Sequence, residues 1–286
     1  MTLLQILVLA VVQGAAELLP VSSSAHVILA ERLMGLDPTA PAMTLVLVML
    51  HSGTMLAVIV YFWRAWRDRY FSSREALRPF LTHLVIATGL TGLIGLTLIQ
   101  FIERVLLGGT PGAEVEQLFG NLPMIATGLL LSGVLIVFSG TRRVDTGRGS
   151  NIGLADAARI GIVQAFCIPF RGFSRSGATI STGLLLGVEK RRAEEFSFAL
   201  AVILTPAAIA REALRLLKAH SFTQTGSGSV LQLLGPSLAG LLLSFVAGLL
   251  ALQLLSRWLE SGRWQIFGYY CFFAAATVLG ADRLLR

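Results

Sequence analysis

Glu17, His26 and Arg175 are ionisable side chains set in sequence that is otherwise Leu, Ile, Val and Ala. They belong to two polar strings half a chain apart. The first reads Gln13-Gly-Ala-Ala-Glu17-Leu-Leu-Pro-Val-Ser22-Ser23-Ser24-Ala-His26, and the second Arg171-Gly-Phe-Ser174-Arg175-Ser176-Gly-Ala-Thr179. At membrane depth an acid or arginine costs roughly 2.5–3.5 kcal/mol on insertion scales, so a chain that keeps such groups there is expected to use them.

The second string has the chemistry of a phosphate cradle. Its glycines let backbone amides approach an anion, and the arm that follows, predicted as a helix from about Ser176 to Gly187, adds the partial positive charge of an N-terminus. Arg175 brings a planar fork suited to phosphate oxygens, and the hydroxyls of Ser174, Ser176 and Thr179 can donate as well. The structural alternative is tight helix packing through Ser and Gly, with Arg175 snorkelling to water.

In the first string, Gln13 and Glu17 are four apart and share a helix face. A carboxylate and an amide oxygen together suit a hard divalent cation, Mg²⁺ or Ca²⁺; Glu17 working as an acid without a metal is the competing reading. Pro20 ends that helix, and Ser22, Ser23 and Ser24 are placed to cap the next one. His26 lies in the first turns of this second arm, where imidazole can move a proton near neutral pH or attack phosphorus directly. Simple capping by the serines and a structural role for the histidine are the plain alternatives. His51 and Ser52 interrupt a later apolar run; they either line the same cavity or hydrogen-bond between helices.

The elements that must carry these strings are set by composition. Of 286 residues, 55% are hydrophobic and 14% charged, against about 25% charged in a soluble domain. Continuous apolar runs rather than alternation carry the hydrophobicity, which argues against a β-barrel and points to an all-α polytopic membrane protein. No cleavable leader is expected, because the apolar run begins at Leu3 without a basic region before it. Cys167 and Cys271 form no disulfide framework or zinc spacing and read as small buried hydrophobes. The net charge of +7 sits mainly in short connections, so it indicates topology rather than nucleic acid. His83 and His220 read as interfacial, Trp63 and Trp66 as an aromatic belt beside the arginines of 64–78, and Lys190-Arg191-Arg192 as a second topogenic cluster.

Six runs are long enough to cross about 30 Å of hydrocarbon: roughly 42–63, 80–101, 123–140, 196–217, 230–255 and 264–283. Residues 3–33 and 155–187 are each broken in the middle by a polar string, with Gly14, Pro20, Pro169, Gly172 and Gly177 at the breaks. Both read as re-entrant helical hairpins, since irregular backbone at membrane depth needs protein or a wet cavity around it. Placing 64–79 inside puts fourteen basic residues in inside segments and seven outside, as positive-inside topology requires. The acidic connection 103–122, with Glu103, Glu114 and Glu116, and the Ser/Thr/Gly-rich loop 221–229 then fall outside. Each half is one hairpin plus three spans, so the second half enters from the opposite side. The expected architecture is a single integral membrane domain over 1–286, made of inverted repeats at about 1–140 and 150–286, with about ten helical segments. Such repeats place a site near the midplane, where broken helices meet.

At these two strings the chain resembles the undecaprenyl-diphosphate phosphatases, also called bacitracin-resistance proteins. The family pattern is Glu/Gln-Gly-x-x-Glu-x-x-Pro-x-Ser-Ser-x-x-His, then Pro-Gly-x-Ser-Arg-Ser-Gly-Ala-Thr. This chain has QGAAELLPVSSSAH at 13–26, GFSRSGAT at 172–179 and EEFSFALAV at 194–202. The resemblance implies an isoprenyl-diphosphate phosphohydrolase of the bacterial plasma membrane. It would release the terminal phosphate of the C55 lipid to recycle the carrier for peptidoglycan synthesis, with bacitracin tolerance as a result. It implies dependence on a divalent cation and a site open to the periplasmic side. Carried across by position, Gln13 and Glu17 belong to the acidic and metal motif, Ser22, Ser23 and His26 to the catalytic loop, and Ser174, Arg175 and Ser176 to the diphosphate loop. Here Arg175 would neutralise charge in the transition state, and Thr179 would lie beside the diphosphate. His26 as base or nucleophile and Ser23 as nucleophile remain rivals. The partners implied are the isoprenoid diphosphate and membrane lipids, with no nucleic acid and with a homodimer left open. The chain departs from the pattern twice: Gln13 stands where many members have Glu, and Arg171 precedes the motif glycine after one inserted residue. Arg171 either adds a second phosphate contact or points to the cytoplasmic face. The rival class is a lipid-phosphate transporter or flippase of inverted-repeat architecture, in which Arg-Ser groups bind phosphate without cleaving it.

Overall fold

The computed structural model describes residues 1–37, 41–106, 115–142, 152–218 and 227–285. His220, Glu114, Arg143, Arg148 and residues 221–226 of the predicted outer loop lie outside these residues, as does the side chain of Glu116. The described residues form ten α-helices and no strand: α1 (Leu3–Leu18), α2 (Ser23–Leu33), α3 (Pro41–Tyr70), α4 (Arg74–Phe101), α5 (Leu122–Thr141), α6 (Leu154–Ala165), α7 (Arg175–Leu185), α8 (Lys190–Lys218), α9 (Ser227–Glu260) and α10 (Gln265–Leu285). A π-helical turn, Ile102–Leu106, prolongs α4, and a short 3₁₀ turn, Val115–Leu118, precedes α5.

Local signals explain where the helices begin and end. Thr2 and Gln5 form a capping box on α1, Ser73 accepts the Ala76 N–H to open α4, and Asn121 accepts the Met124 N–H to open α5. Leu19 is extended ahead of Pro20 (φ −73°, ψ 151°) and stops α1, because the proline ring disfavours helical geometry in the residue before it. The arginine-rich segment is not a loop. Helices α3 and α4 run through it, leaving only residues 71–73 between them, because nothing before Ser73 breaks the helix. Trp63 is exposed as a belt residue would be, whereas Trp66 is buried against Phe62, so only half of the expected pair faces outward.

Among the described residues, four helices are long and apolar enough to cross a membrane: Met43–Tyr70, Arg74–Val105, Leu122–Thr141 and Gly235–Glu260. Their outward faces carry bare leucine and valine, such as Val85 (69% exposed), Leu93 (67%) and Leu242 (63%). Bare apolar faces on long helices are what lipid accommodates and water does not. The chain is therefore a polytopic helical membrane protein.

Helices α1 and α2 pack as one hairpin, and α6 and α7 as another. Helix α1 lies along α9, α6 along α4, α3 against α8 and α5 against α10. Small residues set these close approaches. A Cβ added at Gly14 would come within 2.7 Å of the Ser244 carbonyl oxygen on α9. Gly14 is thus a packing position inside α1 rather than part of the break. Gly161 does the same for α6, where a Cβ would meet the Ala87 carbonyl oxygen of α4 at 2.4 Å.

Candidate active site

The two breaks meet. Arg175 Nη2 lies 3.4 Å from Glu17 Oε1, the Ser176 hydroxyl donates to the Leu19 carbonyl (3.3 Å), and the Cys271 thiol of α10 donates to the Pro20 carbonyl (3.4 Å). Around this junction is a cavity of about 520 Å³. Its walls are Glu17 and Ser22–Ser24 from the first break and Arg171 and Phe173–Ser176 from the second, with His51 of α3 between them. Ile99 and Glu103 at the far end of α4, with Val115 and Phe119 ahead of α5, complete it. That end of α4 is 28 residues, or about 42 Å at ~1.5 Å per residue, from the end carrying Arg74.

Glu17 is the hub. The Ser23 hydroxyl donates to its Oε2 at 2.6 Å, the Gln13 amide donates to the same oxygen at 3.2 Å, and Arg175 takes the other oxygen. Arg175 also keeps a donor in reserve: its Nη1 is buried with no hydrogen-bond partner. A buried guanidinium nitrogen without an acceptor is costly in protein alone.

Ser22 occupies the N-cap position of α2 but caps nothing. Its φ of 65° lies in the left-handed region, which costs a residue with a β-carbon about 1–3 kcal/mol. The strain turns its hydroxyl toward Ser24 (3.2 Å) and leaves the three serines on the cavity wall, so the capping expected of Ser22 is not what it does. Ser174 behaves as a conventional cap for α7, accepting the Gly177 N–H at 3.2 Å, and its own N–H donates to Ser132 Oγ of α5 at 2.7 Å. Gly172, at φ +93°, presses so closely on α5 that a Cβ there would sit 2.1 Å from the Ile125 carbonyl oxygen. Only glycine fits, because both the backbone angle and the space exclude a side chain.

Three expected site residues stand apart from the cavity wall: His26, Thr179 and Gln13. His26 faces α10: its Nδ1 is 2.8 Å from the Ser22 carbonyl and its Nε2 is 2.8 Å from the Tyr270 hydroxyl. A carbonyl only accepts, so Nδ1 carries the proton and Nε2 accepts from Tyr270. Thr179 is buried, donating to the Arg175 carbonyl (2.8 Å) and sharing a hydrogen bond with Ser197 (2.6 Å). His51 does line the cavity; its Nδ1 donates to Leu47 of its own helix at 2.8 Å, and Ser52 donates to Val48 at 2.8 Å, so neither bridges helices. Cys271 is buried, but Cys167 reaches the cavity wall.

Residues 6–277 match the protein-family model described as Bacitracin resistance protein BacA. The chain belongs to this family. Undecaprenyl-diphosphatase 2 of Acinetobacter baylyi is 54% identical over 280 residues, covering 98% of each chain. Undecaprenyl-diphosphatase of Korarchaeum cryptofilum is 32% identical, over 98% of this chain and 99% of the relative. Undecaprenyl-diphosphatase 1 of Acinetobacter baylyi is 31% identical, over 97% and 94%. Within this bacitracin-resistance family member, Ser132, Phe119 and Tyr270 are site neighbours that motif reading missed. Each is a lone residue in or beside an apolar helix, where no spacing distinguishes it from packing.

The donor set also bears on the cation. Among the described residues no three His, Cys, Asp or Glu side chains converge to hold a metal. Mg²⁺ commonly takes one or two carboxylates and completes its shell with water and substrate phosphate. Glu17 fits that pattern as a single protein ligand, whereas Gln13 turns its amide N–H to Glu17 and is absent from the cavity wall.

Proposed function

We propose that this cavity is where the terminal phosphate of undecaprenyl diphosphate is removed. The chain is an isoprenyl-diphosphate phosphohydrolase: the names of its full-length relatives carry that activity, which releases the lipid monophosphate and inorganic phosphate. The product lipid is the carrier reused in peptidoglycan synthesis, and bacitracin resistance is the family's named trait. The observation that supports the assignment to this cavity is the Ser23 hydroxyl held 2.6 Å from Glu17 beside an arginine with an unmet donor. Binding alone requires no such acid–hydroxyl pair, which favours hydrolysis over transport.

In the proposed reaction, Glu17 accepts the Ser23 proton as the serine oxygen attacks the terminal phosphorus. The new O–P bond forms as the bond from phosphorus to the bridging oxygen breaks, and that oxygen leaves with the lipid monophosphate. Glu17 passes that proton to the departing monophosphate, then takes one from the water that attacks the phosphoserine, and returns it to the Ser23 oxygen as the Ser23–phosphorus bond breaks and phosphate leaves. Phosphoryl transfer depends mainly on positioning and charge stabilisation; Arg175 supplies the charge, and Ser174 and Ser176 supply hydroxyls. A divalent cation held by Glu17 and the diphosphate would lower the charge that Arg175 must neutralise. His26 acts as a positioning residue, fixing the strained Ser22 carbonyl from behind.

The membrane arrangement we infer has six spans, formed by α3, α4, α5, α8, α9 and α10, with α1–α2 and α6–α7 as re-entrant hairpins in two inverted repeats. Part of the packing supports this: exchanging the halves exchanges the α1–α9 and α6–α4 pairs and returns α3–α8 and α5–α10 to themselves, while the close α3–α9 pair has only a slight counterpart in α8–α4. Positive-inside counting then turns the Glu103 end of α4, and the cavity, toward the periplasm of a bacterial inner membrane. The test is phosphate release by purified protein from an isoprenyl diphosphate, with Mg²⁺ or Ca²⁺ and with a chelator. Metal-stimulated release that Glu17→Gln removes supports the reading; undiminished release by that variant contradicts it.

A further inference from the structure

The cavity holds two guanidinium groups, and the mechanism uses one. Arg171 lies four residues before Arg175 on the same wall. Its guanidinium carbon sits 4.3 Å above the centre of the Phe119 ring, a cation–π geometry. The backbone that carries Arg171 is clamped. A Cβ added at Gly128 of α5 would be 2.7 Å from the Arg171 carbonyl oxygen, and Gly172 beside it presses on Ile125. Phe119 is fixed in turn, two residues ahead of the Asn121 cap of α5. Arg171 is therefore held from the backbone side by α5 and from the ring side by the segment that leads into α5.

Glu31 of α2 lies within electrostatic reach of Arg171, and Glu103 shares the cavity wall. Arg175 is tied to Glu17, and Glu17 to Ser23, so those three mark the point of attack and hence the terminal phosphate. Arg171 instead keeps company with Phe119, and the cavity's apolar wall of Ile99, Val115 and Phe173 is of the kind that suits isoprene carbon. A diphosphate substrate has a second phosphate, the one bonded to the lipid.

We propose that Arg171, stacked on Phe119, grips the lipid-linked phosphate and so serves the leaving group and the monophosphate product. The proposal rests on the phosphatase reading of this cavity. It predicts unequal effects on two product inhibitors. Losing a charge-assisted phosphate contact costs about tenfold or more in affinity.

The experiment measures inhibition of phosphate release by a short isoprenyl monophosphate and, separately, by inorganic phosphate, for wild type, Arg171→Ala, Arg171→Lys and Phe119→Leu. The proposal expects the inhibition constant of the isoprenyl monophosphate to rise about tenfold in Arg171→Ala, with that of inorganic phosphate within about twofold of wild type. Arg171→Lys should recover part of the loss, and Phe119→Leu should show a smaller loss of the same kind. An unchanged constant for the monophosphate, or equal weakening of both inhibitors, overturns it. Should Arg171→Ala fail to fold, Arg171→Lys and Phe119→Leu decide the matter by the same two constants. Wild type that releases no phosphate from an isoprenyl diphosphate would instead sink the phosphatase reading, so the two failures are told apart.

Discussion

The two hairpin tips are built alike and behave differently. In the first, Ser22 stands at the start of α2 in a left-handed conformation and caps nothing, and the Ser23 hydroxyl donates a hydrogen bond to Glu17. In the second, Ser174 stands at the start of α7, caps it normally, and is locked to Ser132. The same contrast separates the glutamines. Gln13 serves Glu17 (3.2 Å), while Gln164, at the corresponding place in α6, donates to Thr91 of α4 (3.0 Å). The first tip keeps a strained residue beside an acid–hydroxyl pair; the second satisfies its own backbone and presents the Arg175 charge. In the proposed reaction this becomes a division of labour: one tip reacts and the other holds.

The largest break in this contrast should come from the reacting tip. Ser23→Ala or Glu17→Gln is expected to cut phosphate release by about 10³-fold or more, since each removes the attacking group or its base. Next comes Arg175→Ala, with a loss of at least about 10²-fold in rate, the usual scale for removing a charge-stabilising donor; near-wild-type turnover would refute its role. A paired substitution then tests strain against fit. Gly172→Ala should destabilise the protein by about 1–3 kcal/mol, read as a lowered Tm in detergent. Ser22→Gly should leave Tm equal or raised, because glycine tolerates φ 65°. If both lower Tm alike, the tips are not the opposites described. The smallest effect belongs to Gln13→Glu. A second carboxylate beside Glu17 should shift the Mg²⁺ concentration for half-maximal rate by a few-fold.

Much of this division was legible in the sequence. Pro20 and the spacing of Gln13 to Glu17 placed a helix end and a shared face, and α1 does stop at Leu18. The arms are short, at 16, 11, 12 and 11 residues, and each pair is parted inside or at the edge of a polar string. The orientation of individual side chains was not legible. Residues His26 and Thr179 sit in the right motifs, yet the helix turn carries one to Tyr270 and the other to Ser197. Three to four residues of helix rotate a side chain to a neighbour that only the tertiary packing names. The same limit hid Ser132, whose single hydroxyl in α5 organises the second tip. Arg171 shows the opposite case. Its position before Gly172 left two directions open, and the turn at Gly172 sends it to the cavity and onto Phe119.

The central claim is that the first tip reacts through Ser23. It is tested most directly by mixing the protein with isoprenyl diphosphate labelled in its terminal phosphate, quenching on the millisecond scale, and mapping the labelled peptide. The account predicts label on the peptide at Ser23, absent from Ser23→Ala. Label on His26, or no protein-bound label at any quench time, would contradict it.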